Sequence, residues 1–146
     1  MRLISEKLKH RRIKHLIEPC IPTFPTFIKP DLLIIRGDTV YVSDVTVSGE
    51  GYQADAAAFK KNKYGGDLNP VILEFVQREF HEVTKIKHEP IVISLRGILL
   101  GASVKFLQQL HFTQFDLNHI VLRCLRGSLR TIDVYFQATF TSWSLG

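Results

Sequence analysis

Cysteine is scarce, and its scarcity closes off two classes of protein. Cys20 and Cys124 are the only thiols. They are too few for a disulfide scaffold and too isolated for a zinc knuckle, and they read as buried or idle thiols of a reducing compartment. Long hydrophobic runs are also missing. No apolar stretch approaches the roughly 20 residues that cross a bilayer, and Met1-Arg2-Leu3-Ile4-Ser5-Glu6 lacks the apolar core of a signal peptide. The expectation is a soluble, intracellular protein with no membrane partner. There is no internal repeat, low-complexity tract or clear interdomain linker. His10, His15, His81 and His88 stand in no ligand spacing with a cysteine or a second histidine, so surface or capping roles are expected. Ser43, Ser94 and Ser103 lack a nucleophile-elbow context. Gly49-x-Gly51 and Gly65-Gly66 lack the strand-loop-helix pattern that cradles a nucleotide phosphate.

The 146 residues suit a single domain with one sizeable core. Hydrophobic content of 45% and charged content of 23% are ordinary for a globular chain. The formal net charge of +5 favours an acidic partner such as nucleic acid. Residues 1–18 read as a basic helix, with Ile4, Leu8, Ile13, Leu16 and Ile17 at helical spacings. Lys7, Arg11, Arg12 and Lys14 lie around it, either solvated or in contact with a phosphate backbone. Pro19, Pro22 and Pro25 then hold the chain extended, and Phe24 and Phe27 are expected to anchor that segment to the core. An alanine-rich helix is expected over residues 52–64, stopped by Gly65-Gly66. Asn69-Pro70 is expected to open a helix that buries Ile72, Phe75, Val76, Phe80 and Val83. Ile91–Leu95 reads as a buried strand closed by Arg96-Gly97. Helices are expected over residues 102–111, after Asp116, and around Leu129, Ile132, Phe136 and Phe140. The fold class is α/β, a small mixed sheet flanked by helices, with residues 98–146 forming the C-terminal helices.

Chemistry concentrates in Lys29–Asp44. Gly37-Asp38 reads as a two-residue, glycine-first hairpin turn between aliphatic runs. That turn sets Arg36 against Thr39, Ile35 against Val40 and Leu33 against Val42, and the count ends with Asp31 opposite Asp44. Opposed Cβ atoms lie roughly 5 Å apart, so two carboxylates there call for a compensating partner. A divalent cation is the simplest one. Mg²⁺, with Mn²⁺ as a substitute, prefers hard oxygen ligands and bridges carboxylates to phosphates. On the next helix, at about 100° per residue, Lys60, Lys63 and Tyr64 share a face while Lys61 points away. Lys60 is best placed to orient a water or stabilise charge at phosphorus. Lys63 and Tyr64 would assist. A buried ion pair between Asp44 and Lys60 would satisfy the same residues without catalysis. Arg96 after its strand is placed either for a phosphate or for a salt bridge.

These residues resemble the PD-(D/E)xK nuclease superfamily: Pro30-Asp31, then Asp44-Val45-Thr46, then Lys60. The usual lysine, two residues after the second acid, is replaced here by Thr46. A lysine migrated to the following helix resembles the restriction-like endonuclease domain at the C-terminus of site-specific non-LTR retrotransposon proteins. The similarity extends to Lys29-Pro30-Asp31, twelve intervening residues, Asp44-Val45-Thr46-Val47, Lys60-x-x-Lys63-Tyr64, and Pro90–Gly97 with its Arg-Gly turn. The resemblance implies a restriction-endonuclease-like core, with residues 29–64 as catalytic hairpin and helix. It implies a metal site at Asp31 and Asp44 and a Mg²⁺-dependent endodeoxyribonuclease of the nucleus. Lys7, Arg11, Arg12, Lys14, Lys29 and Arg96 would contact DNA. In a full-length parent, a reverse transcriptase domain, a Cys/His zinc knuckle and the element RNA would accompany the nuclease, which nicks target DNA to prime reverse transcription. The alternatives are a DNA-binding module of the same fold with a degraded site, and a structure-selective nuclease of recombination or repair.

Overall fold

A computed structural model describes residues 1–127. Their order is α1 (Arg2–His10), β1 (Lys14–Ile17), β2 (Ile21–Pro22), β3 (Phe27–Ile28), β4 (Leu32–Arg36), β5 (Thr39–Ser43), β6 (Val45–Ser48), α2 (Gln53–Lys63), α3 (Leu68–Gln77), β7 (Lys85–His88), β8 (Ile91–Ser94) and α4 (Gly101–Gln109). A fifth helix, α5, covers 114–127. The expected helix around Leu129, Ile132, Phe136 and Phe140 lies outside the described residues.

The fold is mixed α/β. Its main sheet has the order β1-β4-β5-β7, antiparallel except for the parallel β5–β7 pair. β4 is buried on both faces, which explains its unbroken run Leu32-Leu33-Ile34-Ile35. Alternation sends Leu32 and Ile34 into a core made with α1, α4, α5 and β8. Leu33 and Ile35 point the other way, with Val40, Val42, Tyr64, Ile72 and Val76. Removing the Ile34 side chain beyond Cβ leaves a cavity in a fully buried site. Ile34→Ala is expected to cost about 2–5 kcal/mol of unfolding free energy. Urea denaturation checks this as a lowered midpoint with an unchanged slope.

β5 and β6 are two halves of one strand path interrupted at Asp44. Their parallel partners β7 and β8 are interrupted at Glu89-Pro90, and the register holds across the gap: Val42 pairs with His88 and Val45 with Ile91. The Glu89 N–H donates to the Val42 carbonyl and the Ile91 N–H to the Asp44 carbonyl. Pro90 takes the position between them, where no N–H is needed on the ladder side. The Ser43 hydroxyl donates to the Glu89 carbonyl at 2.8 Å and ties the two breaks together.

Four expectations differ from the structure. The N-terminal helix ends at His10, not near residue 17, and Lys14–Ile17 instead forms an edge strand on β4. The stop is a Schellman motif: the Ile13 N–H donates to the Leu8 carbonyl, the Arg12 N–H to the Lys9 carbonyl, and Arg12 takes φ 56°. An arginine holds the left-handed position where glycine is usual, so the boundary carries no glycine. α3 starts at Leu68, before Asn69-Pro70, and the Asn69 side chain is hydrogen bonded to His88 Nε2 at 2.7 Å instead of capping the helix. α3 ends at Gln77, so the partly buried Phe80 and the buried Val83 pack from the connection that follows. Phe24 and Phe27 do not enter the core: they are 92% and 60% exposed. The register pairs Ile21 with Ile28 and Pro22 with Phe27. Ile21 and Ile28 face the core beneath α3, so alternation turns Phe27 outward.

Candidate active site

The hairpin register of β4 and β5 is the one that the Gly37 turn implies: Arg36 against Thr39, Ile35 against Val40, Leu33 against Val42. Gly37 takes φ 58°, the conformation such a turn requires. One step beyond Leu32 and Ser43 the strands give way to two linked carboxylates. The Asp31 N–H donates to Asp44 Oδ1 at 2.8 Å, and the Val45 N–H donates to Asp31 Oδ2 at 2.9 Å. Each aspartate thus takes up a backbone donor freed where the regular ladder stops.

α2 brings the third group. It lies against β6 and β8 with Ala57 buried, and its alanines permit the close approach. Lys60 Nζ donates to Asp44 Oδ2 at 3.2 Å. Asp44 is 4% exposed and Lys60 19%, so the pair is largely shielded from water. Tyr64 is buried at the end of α2 and donates its hydroxyl to the Lys29 carbonyl at 3.2 Å, fixing the segment that enters Asp31. Lys63 is exposed, its Nζ 5.0 Å from the Tyr64 ring centroid. Its pKa is raised by hydrogen bonding with the Tyr64 side chain, with Asp44 and Asp31 adding to it against desolvation.

The Asp31 carboxyl is pushed above its ordinary value. Burial is the main cause; the Val45 N–H opposes it, Asp44 adds to it, Lys60 opposes it, and Glu18 adds to it. Glu18 is a carboxylate that a helix through residue 17 hides from the sequence reading. It follows β1, and its N–H donates to the Asp31 carbonyl at 2.9 Å. Lys14-His15-Leu16-Ile17 does not alternate, two polar residues preceding two apolar ones, so no local strand signal marks this segment.

The donor chemistry fits Mg²⁺. Two hard carboxylates sit together, one of them held partly protonation-prone by burial and like charge, so a cation would relieve both. No group of three or more His, Cys, Asp or Glu that could hold a metal occurs among the described residues. Asp31 and Asp44 could hold an ion that takes its other ligands from water and phosphate.

The basic candidates are scattered. Lys29 is exposed two residues before Asp31. Lys7 and Arg11 point to Asp116, Lys7 at 2.9 Å. Arg12 and Lys14 line an open groove with Arg36 at the turn end of β4, about 17 Å along the strand from Asp31. Arg96 is exposed past the end of β8, at the opposite extreme of the β6–β8 pair.

A mixed α/β chain with a carboxylate pair at a hairpin end and a helix-borne lysine is the chemical class. No family model matches the chain. It is similar to the retrovirus-related Pol polyprotein of the type-2 retrotransposable element R2DM of Drosophila melanogaster, 28% identical over 86% of this chain and 12% of that protein. It is also similar to the retrovirus-related Pol polyprotein of the type-1 retrotransposable element R2 of Bradysia coprophila, 33% identical over 68% of this chain and 11% of that protein. The chain therefore spans about one eighth of these curated relatives, and the relationship supports a retrotransposon protein. No helix among the described residues is long and apolar enough to cross a membrane.

Proposed function

We propose that the chain is the endonuclease part of a non-LTR retrotransposon Pol protein, a Mg²⁺-dependent enzyme that nicks target DNA so that the freed 3′-hydroxyl primes reverse transcription. The observation that carries this reading is Lys60, delivered by α2 to the Asp31–Asp44 pair. The similarity to retrotransposon Pol polyproteins supports it independently. Asp31 and Asp44 would hold the metal. When bound, Mg²⁺ supplies charge neutralisation at the phosphate and a more acidic water. Lys60, oriented by Asp44, orients the attacking water or donates to a phosphate oxygen. Tyr64 acts through Lys29 by holding its carbonyl, and Lys63 offers an exposed ammonium on the rim. Lys29 and the other exposed cations contact the DNA backbone.

Relaxation of supercoiled plasmid in Mg²⁺ or Mn²⁺, with an EDTA control, tests the reading. Lys60→Ala is expected to slow nicking about a hundredfold while plasmid affinity stays within about twofold of the parent chain. Nicking that persists in EDTA, or a Lys60→Ala protein as fast as the parent, would remove this assignment.

A second reading has its own observation. The shielded Asp44–Lys60 contact satisfies both charges as a structural ion pair, as it would in a DNA-binding module with a degraded site. Retained plasmid binding with no nicking under any metal condition would favour that module.

A further inference from the structure

The chain between Glu18 and Asp31 is an excursion that leaves and returns at one point. Its two ends are joined by the hydrogen bond from the Glu18 N–H to the Asp31 carbonyl. The return leg is fastened again where Tyr64 donates to the Lys29 carbonyl. Between these anchors stands the β2–β3 hairpin, seated on the core by Ile21 and Ile28. Its tip is held twice: the Thr23 N–H donates to the Thr26 carbonyl at 3.0 Å, and the two threonine hydroxyls lie 3.3 Å apart. Phe24 sits at this tip and Phe27 beside it, both turned away from the core.

At 92%, Phe24 is the most exposed of the large apolar side chains among the described residues, and it stands on a braced turn. Its exposure costs apolar hydration, and the bracing bonds hold the tip in the turn that presents it. The surroundings indicate what covers it. No Asp or Glu lies between residues 19 and 30, and Lys29 is exposed on the return leg. The hairpin root is the backbone of Asp31 itself. Seven residues of chain reach at most about 23 Å, so the ring stays within roughly seven nucleotides of a phosphate held at Asp31. An apolar, π-faced tip without negative charge, rooted in a phosphate-handling site, suits a nucleobase.

We infer that Phe24 is a base-stacking contact, with Phe27 as its support, and that the hairpin engages unpaired bases of the DNA strand handled at Asp31, Asp44 and Lys60. The inference rests on the proposed function for the identity of that strand. It implies a preference for DNA that is locally unpaired beside the nick.

Fluorescence anisotropy in EDTA tests the contact apart from cleavage. The probes are a short labelled duplex, fully paired or with a central unpaired stretch. The chain is expected to bind the unpaired probe more tightly. Phe24→Ala is expected to weaken that binding about tenfold and to leave the paired duplex within about twofold. Phe24→Trp, which keeps a stacking face, is expected to retain the preference, whereas Phe24→Leu loses it. Circular dichroism of each variant should match the parent, since the side chain touches nothing in the core. Equal binding of Phe24→Ala and parent chain to both probes overturns the inference, including the case in which the ring meets another protein surface. An Asp44→Asn protein that keeps the preference separates this contact from nuclease activity: the stacking contact then stands even if no nicking is ever found.

Discussion

Asp44→Asn is expected to lower the rate of metal-dependent plasmid nicking about a thousandfold, which corresponds to about 4 kcal/mol of transition-state stabilisation. The size follows from how many roles meet on this one side chain. Asp44 stands at the interruption between β5 and β6, opposite Pro90 in the adjoining strand path. Oδ1 accepts the Asp31 N–H and Oδ2 accepts Lys60 Nζ. Asparagine keeps the volume and one acceptor. If its oxygen stays on the Asp31 N–H, its amide N–H₂ faces the Lys60 ammonium, two donors with no acceptor between them. The substitution removes half of the carboxylate pair that would hold Mg²⁺ and releases the lysine from its orientation. Asp44→Ala is the harsher variant, because it also leaves a largely shielded ammonium without a counterion. Thermal unfolding and DNA anisotropy of the Asn variant separate lost chemistry from lost fold. A folded, DNA-binding Asp44→Asn protein that nicks within tenfold of the parent would take Asp44 out of the reaction.

The geometry around Asp44 was legible in the sequence because every step of it is local. An alternating pattern with a glycine-first turn sets a register, and the register carries Asp31 to Asp44. A helix of known pitch then presents Lys60 and turns Lys61 away. What escaped the sequence is set by partners far along the chain. Lys85–His88 is an edge strand with two lysines and a histidine, and only its parallel pairing with β5 makes it a strand. Lys14–Ile17 shows no strand alternation, and the helix before it ends at His10 with Arg12, not a glycine, in the left-handed position. α4 ends in the same way, with His111 at φ 66° and the Phe112 N–H on the Leu107 carbonyl. Asn69 looks like a cap by its spacing to Pro70, yet His88 claims its side chain. Phe24 and Phe27 look like core residues by type, and only the Ile21–Ile28 pairing shows which face is already taken.

Asp116 carries the largest expected stability effect, and neither its local nor its long-range role is the one its sequence context suggests. A helix beginning after Asp116 would make it the N-cap, but α5 begins at 114 and Asp116 lies inside its first turn. Thr113 is the cap and Asp116 completes a reciprocal box: the Asp116 N–H donates to Thr113 Oγ1 at 3.2 Å, and the Thr113 N–H donates to Asp116 Oδ2 at 2.8 Å. Lys7 and Arg11, from the other end of the described chain, then converge on the same carboxylate. Burial alone would push its pKa up. Hydrogen bonds from Lys7 and from the Thr113 backbone and hydroxyl, with the charge of Arg11, bring it down to about 2. A carboxyl depressed on folding stabilises the fold above its ordinary pKa, and that contribution fades as the pH falls from about 4 through 2. It is worth about 2 kcal/mol at neutral pH. Asp116→Ala is expected to cost more, about 3–5 kcal/mol, because it strands two cations at a buried contact as well as opening the capping box. Asp116→Asn keeps an acceptor for Thr113 and should fall between alanine and the parent chain. Urea unfolding at neutral pH orders the three proteins. Repeating it at successively lower pH should bring the parent toward the Asn variant between about pH 4 and 2, as the charge that distinguishes them is titrated away. If the gap between the two stays constant through that window, the ion pairs with Lys7 and Arg11 are not what holds α1 to α5. Lys7 and Arg11 would then be free to serve the DNA backbone, the role that their place in a basic N-terminal segment first suggests.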